Sequence, residues 1–288
     1  MNLSSSRIIR LWLLFLQIVR NKRALTGLIL VVSLVAVSLL APLIAPYDPV
    51  IPDQGPQFAP PSWNHWFGTD DFGRDMLSRV LYGGRKALII AFLATLLTAV
   101  VGTTLGIFAG FVGKVADQFT MRLMDMLQAI PWLVLALTVA ALLGTGFYKI
   151  IIALALPGIP SYARLARSVA LGVRENSYVL AARAIGDRPA SIMLRQILPN
   201  SLAPIVVLMT LGFGSTLIAE SGLSFVGLGT QPPEPSWGRS LDEARSFIQI
   251  APWTVVFPGL AITWGVIGFN LFGDGLRDVL DPRLRNIN

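Results

Sequence analysis

The sequence predicts an all-α membrane protein with about six transmembrane helices. Three observations carry that reading. Of the 288 residues, 54% are hydrophobic and only 14% charged, against about 25% charged in an ordinary soluble domain. The mean hydropathy is +0.66. Several apolar runs approach the roughly 20 residues that cross a bilayer as a helix. With no cysteine there is no disulfide framework, thiolate metal site or cysteine nucleophile, and a single histidine speaks against a histidine-rich metal centre. The net charge of +7 is read as topology rather than nucleic-acid binding, because Lys and Arg accumulate on cytoplasmic loops. No nucleic-acid partner is expected.

The first element, within 1–23, contains RIIRLWLLFLQIVRNKR. Arg7, Arg10, Gln17 and Arg20 fall on one arc at about 100° per residue. That pattern predicts an amphipathic cytoplasmic helix lying along the membrane, arginines toward lipid phosphates. A signal peptide is the rival reading, but no small-residue cleavage site follows and another apolar run starts at once. The first span is expected at 24–45, closed by Pro42 and Pro46. An extracytoplasmic loop then fills 46–85. It is too rich in proline for regular structure until about residue 71, with a short interfacial helix expected over 72–82. Trp63, His65, Trp66 and Trp237 could receive a substrate-delivering protein or simply anchor spans at the headgroups. His65 alone makes no metal site.

A core over 86–274 holds the remaining spans. The second, 86–112, carries Gly102, Gly106 and Gly110, a spacing of four that lets helix backbones approach closely in lipid. The third, 121–143, contains Pro131 as an expected kink, and Asp125 is expected to pair with Arg122 three residues before it. The fourth, 148–165, is interrupted by PGIP at 157–160. Such a break survives in a membrane only where protein or a water-filled cavity covers it, so Pro157 and Pro160 are candidates for a translocation path. The fifth, 202–223, contains Glu220. An ionisable group inside a span is a functional candidate because its burial is costly. It could line the path or bind a cationic group; it could equally lie near the outer headgroups or pair with a neighbouring helix. An external loop follows, in which DEAR at 242–245 reads as a solvated helix face. The last span is expected at 253–272, ahead of a cytoplasmic tail over 275–288.

This topology can be checked against charge. Sixteen of the 23 Lys and Arg fall in segments placed inside, and seven outside, as expected for six spans with both termini cytoplasmic. Arg85 and Lys86, external and flanking a span directly, fit that rule worst.

The internal loop 176–200 contains LAARAIGDRPASIMLRQILPN at 180–200. Ser177 can cap a helix that begins with Tyr178, and Gly186 supplies a left-handed terminus. Asp187 can cap a second helix with Pro189 in its first turn. Pro199 is expected to bend that helix into the fifth span. Ala181 and Ala182 offer a small-residue surface, surrounded by Arg183, Arg188 and Arg195. Helices this short are marginal in water, so something should dock there. The bland alternative is a solvated loop with its arginines at the headgroups.

The same stretch resembles the cytoplasmic signature of ABC-importer membrane subunits. That signature has a Glu-Ala-Ala triplet, a glycine four positions after the second alanine, and a Leu-Pro pair beyond. Ala181, Ala182, Gly186, Leu198 and Pro199 match in register; Leu180 replaces the usual glutamate, and Gln196 falls where isoleucine is common. HWFGTDDFGRDMLSRVLYGGR at 65–85, AESGLSFVGLGTQPPEPSWGRSLDEAR at 219–245 and FGDGLRDVLDPRLR at 272–285 are similar to stretches of the C-type permease subunit of dipeptide and oligopeptide importers. Nickel and glutathione importers share these features.

The resemblance implies an ABC importer type I transmembrane fold in a bacterial cytoplasmic membrane. It implies a non-catalytic subunit supplying half of a peptide path, with nickel or glutathione as alternative solutes. The implied partners are a homologous second permease subunit, two ABC ATPase subunits and an extracytoplasmic solute-binding protein, within membrane lipid. The 176–200 element would be the coupling helix seated on an ATPase. No G-x-x-x-x-G-K-[ST] loop occurs in this chain, so no cofactor is expected on it; ATP and Mg would sit on the partner ATPases. A secondary transporter using Glu220 and the broken fourth span, and a structural membrane protein without a path, are the competing classes. No convincing internal repeat of the kind secondary carriers often have is found.

Overall fold

The computed structural model describes residues 16–280, so Arg7 and Arg10 lie outside the described residues. Helix α1 spans Lys22–Leu39, capped by Asn21, whose side chain accepts from the backbone N–H groups of Arg23 and Ala24. It stops earlier than expected, and a separate turn, Ala41–Ile44, takes Pro42 in its first positions. Helix α2 spans Met76–Val112, 37 residues, or about 55 Å at 1.5 Å per residue. The interfacial helix and second span read from the sequence are therefore one element, begun by Asp75, whose carboxylate accepts from Ser78 N.

The third span differs most from expectation. It is two helices, α3 Lys114–Gln128 and α4 Trp132–Leu143, meeting at 89°, rather than one kinked helix. Pro131 stands at the N-cap of α4, and the residue before a proline avoids helical geometry, so Ile130 lies in the break between Gln128, where α3 ends, and Trp132, where α4 starts. The fourth span differs in the opposite sense. Its PGIP is no interruption: α5 Phe147–Ala155, a 3-10 turn Leu156–Gly158 and α6 Ile159–Val173 follow one another with right-handed helical backbone through the joints. Pro157 and Pro160 each sit in the first turn of a helical piece, where a missing N–H costs little.

A short helix, α7 Ser177–Ala184, leads through a turn into Pro189–Ile192 and a π-helical turn Met193–Ile197, then α8 Leu198–Phe225 without a gap. The outer surface carries α9 Trp237–Ala244, and α10 Trp253–Leu280 is the last described element, running eight residues past the expected end of the last span at 272. Five helices are long and apolar enough to cross a membrane, six if the bent pair is one span. Among the described residues there is no strand, only an isolated bridge between Thr69 and Asp75.

Close packing of α2 on α6 organises the centre. A Cβ on Gly106 would lie 2.1 Å from the Ala163 carbonyl oxygen, so the Gly102–Gly106–Gly110 face is the helix seam the spacing suggested. α10 packs along α1 and α8, with Phe213 and Phe269 stacked 3.9 Å apart.

The outer loop is irregular but not loose. Arg79, at the start of α2, is 2% exposed and lies 3.4 Å from Asp70 and 3.1 Å from Glu243. Arg74 pairs with Asp70 at 2.6 Å and Glu243 at 3.3 Å. Arg239 reaches Glu243 at 3.0 Å, so Glu243 gathers three guanidinium groups. The 242–245 run is thus an ion-pair hub, not a solvated face. Trp237 is buried, donating its indole N–H to the Val80 carbonyl at 2.8 Å. Asp125 pairs with Arg164 of α6 at 2.7 Å rather than with Arg122. His65 is buried with Nδ1 3.0 Å from Asp75, whereas Trp63 and Trp66 are exposed.

Candidate functional site: a cytoplasmic knuckle and a hydroxyl-lined cavity

The knuckle is built from α7 and the start of the α8 run. Asn176, not Ser177, occupies the N-cap. At the other end Gly186 adopts φ +82°, its N–H bonding to the Arg183 carbonyl while the Asp187 N–H bonds to that of Ala182. This is a Schellman terminus, which favours glycine. Asp187 does not occupy the next N-cap, where Arg188 stands; its carboxylate accepts from Arg188 N and from the Ser191 hydroxyl.

The two faces of α7 serve different neighbours. Val179 and Ala182, three apart, are buried with Ile192, Ile197 and Val173 in a core that continues into α2 and α6. Ala181 faces outward with Tyr178, Leu180 and Ile185, the last 85% exposed. The alanine pair is thus divided between the protein's own core and the surface. Leu194 adds another exposed apolar group. Arg183 lies 4.6 Å from the centre of the Phe111 ring. Tyr178 OH accepts from the side-chain amides of Asn176 and Asn200, at 3.2 and 3.4 Å, tying α7 to the base of α8.

Pro199 does not bend the chain away. A proline inside a helix clashes with the carbonyl four residues before it. Here the preceding π-helical turn widens the backbone, with Leu198 N–H bonding five residues back to Met193, and the helical path continues from Pro189 to Phe225. Leu198 is half-buried and Pro199 exposed.

In the membrane, a cavity of about 520 Å³ lies between α2, the bend at Pro131, the α5–α6 joint and α8. Thr95, Thr98, Ser161, Tyr162, Ser215 and Thr216 line it, together with Gln128 and Trp132. No lining residue carries a charge. Several hydroxyls are held by backbone: Thr216 donates to Gly212 O at 2.9 Å, Tyr162 to Leu208 O at 3.3 Å, and Thr98 lies within 3.0 Å of both Ala94 O and Ala155 O. Each hydroxyl oxygen keeps acceptor capacity for a guest. Irregular backbone at membrane depth is tolerated where it lines such a space, which gives the 89° bend at Pro131 a physical reason.

The sequence-read path residues divide. Pro157 lines the cavity; Pro160 and Glu220 are not among its walls. Glu220 is fully buried and accepts from the Ser224 hydroxyl at 2.8 Å, and that hydroxyl oxygen accepts from Thr230 N at 3.2 Å. The glutamate therefore clasps the external loop after α8. The hydroxyl lining escaped a reading directed at charge and proline, although Thr95/Thr98 and Gly212/Ser215/Thr216/Ala219 recur at helical spacing.

Comparison with known proteins adds the following. Residues 102–286 match the family model described as binding-protein-dependent transport system inner membrane component. Residues 10–61 match that of the N-terminal TM domain of oligopeptide transport permease C. The chain is 43% identical over 272 residues to the dipeptide transport system permease protein DppC of Alkalihalophilus pseudofirmus, covering 94% of this chain and 90% of that protein. It is also 43% identical over 267 residues to the glutathione transport system permease protein GsiD of Escherichia coli, covering 92% and 88%. Among solved structures, the inward-facing MetNI methionine ABC transporter matches with a TM-score of 0.58 at 18% identity, over 72% of this chain and 98% of that one.

Proposed function

Because the chain belongs to the family of binding-protein-dependent transport system inner membrane components, we propose that it forms half of a peptide path through the membrane. A homologous permease subunit supplies the other half. Two ABC ATPases bind and hydrolyse MgATP below, and an extracytoplasmic binding protein delivers the solute above. The chain itself performs no chemistry; it converts a push into a change of cavity shape.

One observation carries this reading: the knuckle hangs between two walls of the cavity. α6 bears Ser161 and Tyr162 at one end and enters the knuckle at the other. The unbroken run Pro189–Phe225 leaves the knuckle and bears Gly212, Ser215 and Thr216. From residue 196 to 212 is about 24 Å of helix, with no flexible linker to absorb displacement. Tyr178, Leu180, Ile185 and Leu194 give an ATPase an apolar landing surface, surrounded by Arg188 and Arg195, which have no acidic partner among the described residues. Closure of the ATPases on ATP would press the knuckle and tilt α6 and α8, opening the cavity outward; ATP release would reverse the tilt.

An uncharged, hydroxyl-lined wall suits peptides, which share amide and terminal groups that hydrogen-bond and whose side chains vary in charge. A fixed charge would favour one peptide class over another. Equal identity to dipeptide and glutathione permeases keeps the tripeptide glutathione as the second candidate solute. Glu220, clasped to Ser224 away from the cavity, gives ion coupling little support.

The test is reconstitution of the complete complex in vesicles, with uptake and ATP hydrolysis measured for dipeptides, oligopeptides and glutathione. Gly186→Val should leave the complex assembled but lose both uptake and solute-stimulated hydrolysis. Normal uptake with normal stimulation in that variant would sink the proposed coupling route.

A further inference from the structure

Arg85 and Lys86 stand at the outer end of a span, where the excess of positive charge inside leaves them unexplained. The structure separates their roles. Lys86 forms an ion pair with Glu234. Arg85 is exposed and has no ion-pair or hydrogen-bond partner among the described residues. It is instead the one charged residue lining a groove of about 620 Å³ between α1, α2, α8 and α10. The walls below it include Val35, Leu88, Phe92, Val206 and Phe213. From Arg85 to Leu93, the lining of α2 descends about 12 Å at helical rise, from headgroup level toward the middle of the bilayer.

A single cation at the headgroup end of a deep apolar slot is complementary to one molecular shape, an anion carrying a hydrocarbon tail. We propose that this groove binds one anionic phospholipid of the outer leaflet. Its phosphate sits on the Arg85 guanidinium, whose fork can take two phosphate oxygens, and one acyl chain runs between Leu88, Phe92 and Val206. The cation favours this occupant over a second apolar helix, which would cover Arg85 without supplying a counter-charge. Arg85 thereby has a function at the place where positive charge is out of pattern. The bound lipid would also wedge α1 and α10 against α2 and α8, helices that border the translocation cavity as well, with Thr95 lining both spaces.

The experiment uses the complete permease complex containing this chain, purified from bacterial membranes in mild detergent. Native mass spectrometry reads the retained lipid, and a thermal shift is measured on adding phosphatidylglycerol or, as the uncharged comparison, phosphatidylcholine. Wild type should retain anionic phospholipid and gain thermal stability from phosphatidylglycerol alone. Arg85→Gln should weaken that binding about fivefold, the effect of one basic group near a membrane surface, and Arg85→Lys should restore most of it. Val206→Trp, which fills the slot without touching the charge, should abolish retention. The chain has no cysteine, so a photocrosslinker on Phe92→Cys reports the occupant directly. Crosslinks to lipid support the proposal. Crosslinks to a second permease subunit, or lipid retention unchanged in both Arg85→Gln and Val206→Trp, overturn it.

Discussion

The outer cap and the cytoplasmic knuckle are both polar elements at the ends of the same long helices, and they are built in opposite ways. In the cap, Arg74, Arg79 and Arg239 converge on Glu243, and Asp70 takes two of them again. These contacts join segments up to 169 residues apart. In the knuckle, Arg183, Arg188 and Arg195 have no acidic partner among the described residues, and the side-chain hydrogen bonds of Asp187 stay within four residues. Burial magnifies the difference. Removing one partner of a buried ion pair costs roughly 3–5 kcal/mol, while an exposed pair contributes about 0–1 kcal/mol. The cap therefore fixes the outer ends of α2 and α9 relative to the loop. The knuckle is held to the membrane domain by an apolar underside, and its charged and apolar outside is exposed. Under the proposed docking of an ATPase, anchoring one end while pushing the other would turn displacement into tilt.

The largest expected effect follows from breaking the cap. Glu243→Ala leaves Arg79, 2% exposed, beside a single remaining acid and should lower stability by about 3 kcal/mol or more. Glu175→Ala, which removes the exposed pair with Arg174, should cost under about 1 kcal/mol. Thermal unfolding of the two variants in one detergent measures the contrast. Equal shifts would erase the distinction between the two ends.

Gly186→Val should invert that ranking for transport. A side chain meets nothing within 4 Å there, so the cost is the left-handed backbone, roughly 1–2 kcal/mol, confined to the knuckle. Uptake should fall about tenfold or more, a loss corresponding to roughly 1.4 kcal/mol or more of coupling, with the melting temperature little changed. If Glu243→Ala is instead the variant that uncouples hydrolysis from uptake while staying folded, the mechanical roles are exchanged.

Thr216→Val sharpens the middle of the comparison. It removes the hydroxyl that bonds Gly212 O and lies 3.3 Å from Thr95. A neutral hydrogen bond contributes about 1 kcal/mol, so uptake should change severalfold through its KM, with basal hydrolysis unaffected. A change in hydrolysis alone would place Thr216 outside the solute's route.

The contrast between the ends also explains which features were legible. Local patterns transferred well: Gly186 announced a left-handed terminus and the small-residue spacing announced the α2–α6 seam. Apolar runs announced the spans. What the sequence hid depends on distant neighbours. Asp125 has Arg122 on its own helix, yet Arg164, 39 residues away, is the partner, because α3 turns at Pro131 and lays its face along α6. Glu243 reads as a solvated helix residue until Arg79 is placed beside it. Prolines misled in both directions. Pro131 marks a right-angle bend rather than a kink, whereas Pro157 and Pro160 fall at helical first turns and interrupt nothing, and Pro199 is absorbed by the wider π turn before it. The cavity's hydroxyls were visible as residues but not as a lining, since α2, α6 and α8 must first be brought together.

The smallest expected effect probes the edge of the cap, where burial is incomplete. Burial pushes the Asp71 carboxyl above its ordinary 3.8, reinforced by the neighbouring Asp70 charge and only partly offset by Arg74. A carboxyl raised in the folded state binds its proton more tightly there than in the unfolded chain. As pH climbs past 3.8 the unfolded chain ionises first, and stability declines until the folded carboxyl has ionised too. Asp71→Asn cannot ionise, so it should be slightly more stable than wild type at neutral pH and equal to it below about pH 3.8. Thermal unfolding of the pair from pH 3 to 7 measures this. A variant less stable at neutral pH would mean that the 3.6 Å contact with Arg74 outweighs desolvation, and that the ion-pair network holding the cap extends one residue further than Asp70.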